Sequence, residues 1–163
     1  MNRFRLPALF LATLSPVSLF ASDAALTADA LTWQDHYGKA YAAAKAQQRM
    51  LLIHFDSSED GDKYAEELEV AIANNELRDV LESFVLVRLP VAYEVAVDGS
   101  PTRLLAHPAF AAMNGKAGLA VVDLRDDASD YYGHTVSAVP FQRIGYYAPS
   151  PASVAAVRTL LEL

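Results

Sequence analysis

The chain has 163 residues, 53% of them apolar and 20% charged, with a formal net charge of −7 and no cysteine. That apolar share supports a packed core and excludes an intrinsically disordered chain. The missing cysteines exclude disulfides, thiolate metal sites and a cysteine nucleophile, and the acidic balance argues against a nucleic-acid partner.

Residues 1–5 carry Arg3 and Arg5 and no acid, residues 6–20 (LPALFLATLSPVSLF) are almost wholly apolar, and Ala21, Ser22 and Ala24 follow. This is the order of a secretory signal peptide, with cleavage expected within 21–24. The run is interrupted by Pro7 and Pro16 and falls short of the ~20 residues of a spanning helix. The expected division is a signal segment over 1–21, a linker over 22–32 and one domain over 33–163. The expected location is periplasmic or secreted, with membrane contact only through an uncleaved signal segment.

Trp33, Tyr37, Tyr41 and Ala44 recur at four- and three-residue steps, predicting a helix with Thr32 as N-cap and Asp35 completing a capping box. Residues 50–55 (MLLIHF) form the apolar run of a strand covered on both faces. Residues 56–62 (DSSEDGD) are a polar turn, and 63–73 resume helical spacing through Tyr64, Leu68 and Ala71 or Ile72. A short helical stretch over 76–83 precedes a second buried strand over 84–91. Asp98, Gly99, Ser100 and Pro101 mark a loop, and 103–113 read as a short helix interrupted at Pro108. After the turn at Asn114 and Gly115, residues 119–124 (LAVVDL) are a third strand, and 131–139 and 143–147 are strand-like. Pro149 and Pro151 introduce a closing helix with Val154, Val157, Leu160 and Leu161 inward. Strands alternating with helices, then a hairpin and a final helix, predict an α/β sandwich with a mixed sheet.

This order resembles the thioredoxin-like superfamily, in particular its exported branch that begins with an extra N-terminal helix. The residues carrying the resemblance are Trp33, Tyr37, Ala40 and Ala44, the strand at 50–55, the run at 84–89, then His107, Pro108 and Phe110, and the stretch at 118–123. Ser137, Pro140 and Phe141 match a later segment of the same pattern. The resemblance covers residues 33–163 and implies a thioredoxin-like fold with a mixed central sheet flanked by helices. In active members the turn after the first core strand holds a Cys-x-x-Cys pair at a helix N-terminus, where the dipole and free amides lower a thiol's pKa. Here those positions fall at Asp60 and Lys63, in the tetrad Asp60, Gly61, Asp62, Lys63. A cis-proline before the third core strand also belongs to the pattern, and Ala120 stands in its place.

The resemblance therefore implies a scaffold without dithiol oxidoreductase activity and without a cofactor. Its expected role is to bind a protein or peptide of the cell envelope in the groove beside Ser57, Ser58, Glu59, Asp60, Gly61, Asp62, Lys63, Gly118, Leu119 and Ala120.

The acidic turn has a second reading. Asp56, Ser58, Asp60, Gly61 and Glu67 occupy positions 1, 3, 5, 6 and 12 of a calcium loop, whose oxygens suit a hard cation. Lys63 at the usually aliphatic eighth position opposes it, and an acidic helix start capped by Ser57 or Ser58 explains the same residues. Of the four histidines, His54 sits in the first buried strand and reads as a hydrogen-bonded core residue. Tyr131, Tyr132, Phe141, Tyr146 and Tyr147 gather near the C-terminus, either in the core or as a recognition surface.

Overall fold

The apolar run that begins at Met50 becomes strand β2, Leu51–Asp56, the centre of a five-stranded sheet. Leu51, Leu52, Ile53 and Phe55 are at most 1% exposed, and full burial of each such side chain contributes roughly 2 kcal/mol. The structure, a computed structural model, describes residues 31–57, 63–141 and 152–162. The described elements lie within Leu31–Leu163, which forms one compact unit.

The chain enters the sheet through a two-residue strand, β1 (Trp33–Gln34), and then forms helix α1 (Tyr37–Gln47). The cap is His36, whose Nδ1 accepts from the Lys39 backbone N–H, rather than Thr32. Trp33 belongs to the strand, so the first helix is a connection between strands instead of an extra element ahead of the sheet. Ala40 and Ala44 are fully buried, which lets α1 lie close against the sheet. At its end Gln48 takes a left-handed conformation, and Arg49 donates to the carbonyls of Ser83 at 3.1 Å and Phe84 at 2.8 Å.

After β2 come α2 (Lys63–Ala73), the short α3 (Arg78–Leu81) and β3 (Val85–Pro90). Strands β1, β3 and β2 run parallel in that spatial order, with Trp33 opposite Leu86 and Leu52 opposite Leu86 on its other side. Beyond β3, residues read as a loop form a separate hairpin, β4 (Glu94–Val97) and β5 (Ser100–Arg103). Its two-residue turn, Asp98 and Gly99, has positive φ at both positions (51° and 80°), the backbone that a tight hairpin demands.

The expected bent helix is two 3₁₀ helices, Leu104–Ala106 and Pro108–Met113, separated at His107. Strand β6 (Gly118–Val122) then runs antiparallel to β2, and β7 (Thr135–Pro140) runs antiparallel to β6. Residues 131–134 form a turn, so β7 starts later than the apolar pattern suggests; residues 143–147 lie outside the described residues. Helix α4 (Val154–Leu161), capped by Ser153, closes the fold, and Arg158 ties it to α3 by pairing both terminal nitrogens with the Asp79 carboxylate at 2.9 and 3.0 Å.

Alternation along β2 sends side chains to two cores. Leu51, Ile53 and Phe55 pack with Ala40, Ala44, Leu104, Phe110 and Ala120, on the face of α1 and the hairpin. Leu52 packs with Leu68, Leu77, Leu81, Leu119, Val157 and Leu160, on the face of α2, α3 and α4. The result is a mixed α/β architecture with a mixed central sheet covered on both sides.

Candidate functional site

Strand β2 delivers the chain to the region where the sequence places a binding groove. Asp56 ends the strand, and its carbonyl accepts from the Val91 N–H at 3.0 Å. Ser57 follows, half-buried; Ser58, Glu59, Asp60, Gly61 and Asp62 lie outside the described residues; Lys63 opens α2. Gly118, Leu119 and Ala120 are the first three residues of β6, paired with Phe55, His54 and Ile53. All three are buried, so they contribute backbone and packing at the end of β2. Ala120 sits in mid-strand between Ile53 and Ala138, on the core face shared with α1.

Gly118 is the residue at which β6 begins. Its φ is +148°, and a Cβ there would lie 2.2 Å from the Val139 carbonyl oxygen and 2.8 Å from the Pro140 Cα. Glycine is required because two strands and the second 3₁₀ helix converge on one point.

For the calcium reading, Asp56 is half-buried at the strand end and Glu67 is exposed on α2, while Ser58, Asp60 and Gly61 lie outside the described residues. Among the described residues no three His, Asp or Glu side chains gather where they could hold a metal ion.

His54 differs from its expected state. It is 1% exposed, and among the described residues neither ring nitrogen has a hydrogen-bond partner. The ring packs against Trp33 at 6.1 Å and Phe141 at 6.0 Å between centroids, and Phe141 in turn meets Tyr64 at 6.4 Å. Arg88, its register partner on β3, places its guanidinium 5.2 Å from the Trp33 ring centroid and donates through Nη2 to Glu69 of α2. Burial, with the Arg88 charge acting in the same direction, pushes the His54 pKa down to about 3. The imidazole is consequently neutral at physiological pH, held in an aromatic surround at the carboxyl end of β2. Nothing in the sequence joins Trp33, His54, Tyr64, Arg88 and Phe141; only the sheet order brings them together.

The remaining aromatics divide. Tyr131 is 67% exposed in the turn before β7, Tyr132 is half-buried with the Lys45 ammonium 5.9 Å from its ring, and Phe141 is core. Tyr146 and Tyr147 lie outside the described residues. Asp126, Asp127 and Asp130 are exposed, as a hairpin tip should be. Neither a scan against protein-family models nor a search of curated proteins finds a match for this chain.

Proposed function

We propose that the chain is an exported, redox-inactive thioredoxin-like domain that binds a protein or peptide of the cell envelope. The observation that carries this reading is the strand order β1-β3-β2-β6-β7, with β1, β3 and β2 parallel, β6 antiparallel to β2 and β7 antiparallel to β6. Thioredoxin-like domains share that order and place their reactive turn directly after the central strand, which here is the turn after Asp56. The analogy is one of fold, and function is argued from the turn itself. No thiol is present in the chain to attack a disulfide. The scaffold still offers surface for recognition: the half-buried rings of Trp33 and Tyr64 present aromatic area at low entropic cost, and residues 56–62 are polar in sequence. Export through residues 1–21 would put this surface in the envelope.

Affinity capture from envelope extract tests the proposal. The chain lacking residues 1–21 should retain a discrete partner, and Ser57→Arg or Lys63→Glu should release it while the protein stays folded. Failure to retain any partner, or retention indifferent to both substitutions, would contradict it. Stabilisation by millimolar calcium without a partner would favour the cation reading instead.

A further inference from the structure

On the sheet face opposite His54, an open cleft of about 460 Å³ lies among α1, the β4–β5 hairpin, the 3₁₀ helices and the turn before β7. Its walls include Tyr37 and Tyr41 from α1, Val95 and Val97 from β4, and Phe110 and His107. Cavities that hold drug-sized molecules span roughly 300–1,000 Å³. The cleft is built rather than incidental. The Tyr37 N–H donates to the Tyr93 hydroxyl at 3.2 Å, and the Leu104 N–H to the Tyr93 carbonyl at 2.9 Å, fixing helix, hairpin and first 3₁₀ helix to one another. Gly133, at φ +76°, closes one end, where a Cβ would lie 3.6 Å from the Tyr41 hydroxyl.

The lining selects a chemistry. No Asp, Glu, Lys or Arg is among the described residues around the cleft, so among them a charged ligand would find no counter-charge for its desolvation. The net charge of −7 further disfavours anions. Hydrogen-bond donors are present: the phenols of Tyr37 and Tyr41, whose rings stand 5.9 Å apart, and His107. The His107 Nδ1 accepts from the Ala109 N–H at 3.2 Å, which leaves the proton of the neutral ring on Nε2 as a donor. Desolvation, with Tyr41 beside it, pushes the Tyr37 phenol up to about 12, so its proton is retained throughout the neutral range.

We propose that this cleft binds a neutral, largely apolar small molecule that presents a carbonyl oxygen to the tyrosine and histidine donors. None of Asp56, Ser57 and Lys63 lines the cleft, and the proposal does not rest on the partner proposed at the turn after β2.

The test titrates the full chain with prodan, a neutral naphthyl ketone whose emission moves to the blue in apolar surroundings. Emission should shift saturably, with one site per chain. Ala109→Trp, a substitution at an exposed lining residue that fills the cleft, should weaken binding at least about tenfold. Tyr41→Phe, which removes one donor, should weaken it about fivefold, the equivalent of one hydrogen bond. The anionic naphthalene sulfonate ANS should bind at least about tenfold more weakly than prodan. Circular dichroism establishes that each variant is folded, and Tyr41→Phe decides the matter if Ala109→Trp is not. Absence of a saturable shift, binding indifferent to the folded variants, or equal affinity for ANS overturns the proposal.

Discussion

Replacing His54 with leucine removes an imidazole that is buried, unpartnered among the described residues and surrounded by Trp33, Phe141 and Arg88. Leucine has similar bulk and no polar atoms to leave unsatisfied. Because an unsatisfied buried polar group costs about 1–3 kcal/mol, His54→Leu should be as stable as the parent at pH 7 or more so. The larger effect is its pH dependence. The folded imidazole has a pKa near 3, while the unfolded one keeps the ordinary value of 6.5. Below pH 6.5 the unfolded chain therefore binds a proton that the folded chain refuses, and stability falls steadily until the pH nears 3. At pH 5 the unfolded imidazole is almost fully protonated and the folded one is not, a loss of about 2 kcal/mol relative to neutral pH. That figure is governed by the unfolded value, since the folded group is neutral at pH 5 for any pKa near 3. Urea titrations of both proteins at pH 7 and pH 5, followed by far-ultraviolet circular dichroism, measure it. The parent should lose about 2 kcal/mol more than His54→Leu between the two conditions. Carboxylates common to both proteins cancel in the comparison. Equal losses would refute the reasoning, as would a His54 proton resonance that titrates near pH 6.5 in the folded protein.

Other outcomes follow from single contacts. Gly118→Ala drives a Cβ into the Val139 carbonyl and should cost about 3 kcal/mol, read as a lowered urea midpoint; an unchanged midpoint would mean that the strand entry lacks this geometry. The Asp123 carboxylate, almost buried, accepts from the Arg125 backbone N–H at 3.0 Å and from its side chain at 2.7 and 3.1 Å, and those bonds hold its pKa below the usual carboxylate value. Half of Arg125 lies in solvent, so Asp123→Asn should cost only about 1 kcal/mol at pH 7. Because the folded pKa is depressed, that difference should shrink as the pH falls below the ordinary carboxylate value of 3.8, and a gap that persists there would exclude the ion pair as its source. If the turn after β2 keeps the placement of a dithiol site, the double variant Asp60→Cys, Lys63→Cys should reduce insulin disulfides, which the parent cannot do. A folded double variant without activity would count against the thioredoxin-like reading.

Much of the sheet and its helices was legible because burial leaves a direct imprint. Leu51, Leu52, Ile53 and Phe55 form a continuous apolar run because both sheet faces are covered, and Leu68, Ala71, Val157 and Leu160 recur at helical spacing because one face of each helix is. Strand β1 left no such trace. Two residues carry no period, and Trp33 falls in step with Tyr37 and Tyr41, which makes the strand look like the start of their helix. The β4–β5 hairpin was hidden differently: Asp98 and Gly99 read as a turn, but Pro101 and the largely exposed flanks argue against strands. A two-stranded ribbon outside the main sheet tolerates both.

The site divides in the same way. The resemblance alone implied a groove at Gly118, Leu119 and Ala120, and the sequence carried no sign of the pairing of Gly118 with Phe55; that His54 has no partner among the described residues depends on what β1, β3 and residue 141 place around it. The cleft was beyond reach for the same reason, since its walls come from residues scattered between Tyr37 and Thr135.

Partner recognition at the carboxyl end of β2 is tested most directly by a photo-crosslinking amino acid at position 57 of the chain expressed with its own residues 1–21. The same group at position 47, the exposed last residue of α1, serves as control. Irradiation should give one discrete adduct from position 57 and none from position 47. No adduct from position 57, or the same adduct from both, would contradict a binding surface at the turn.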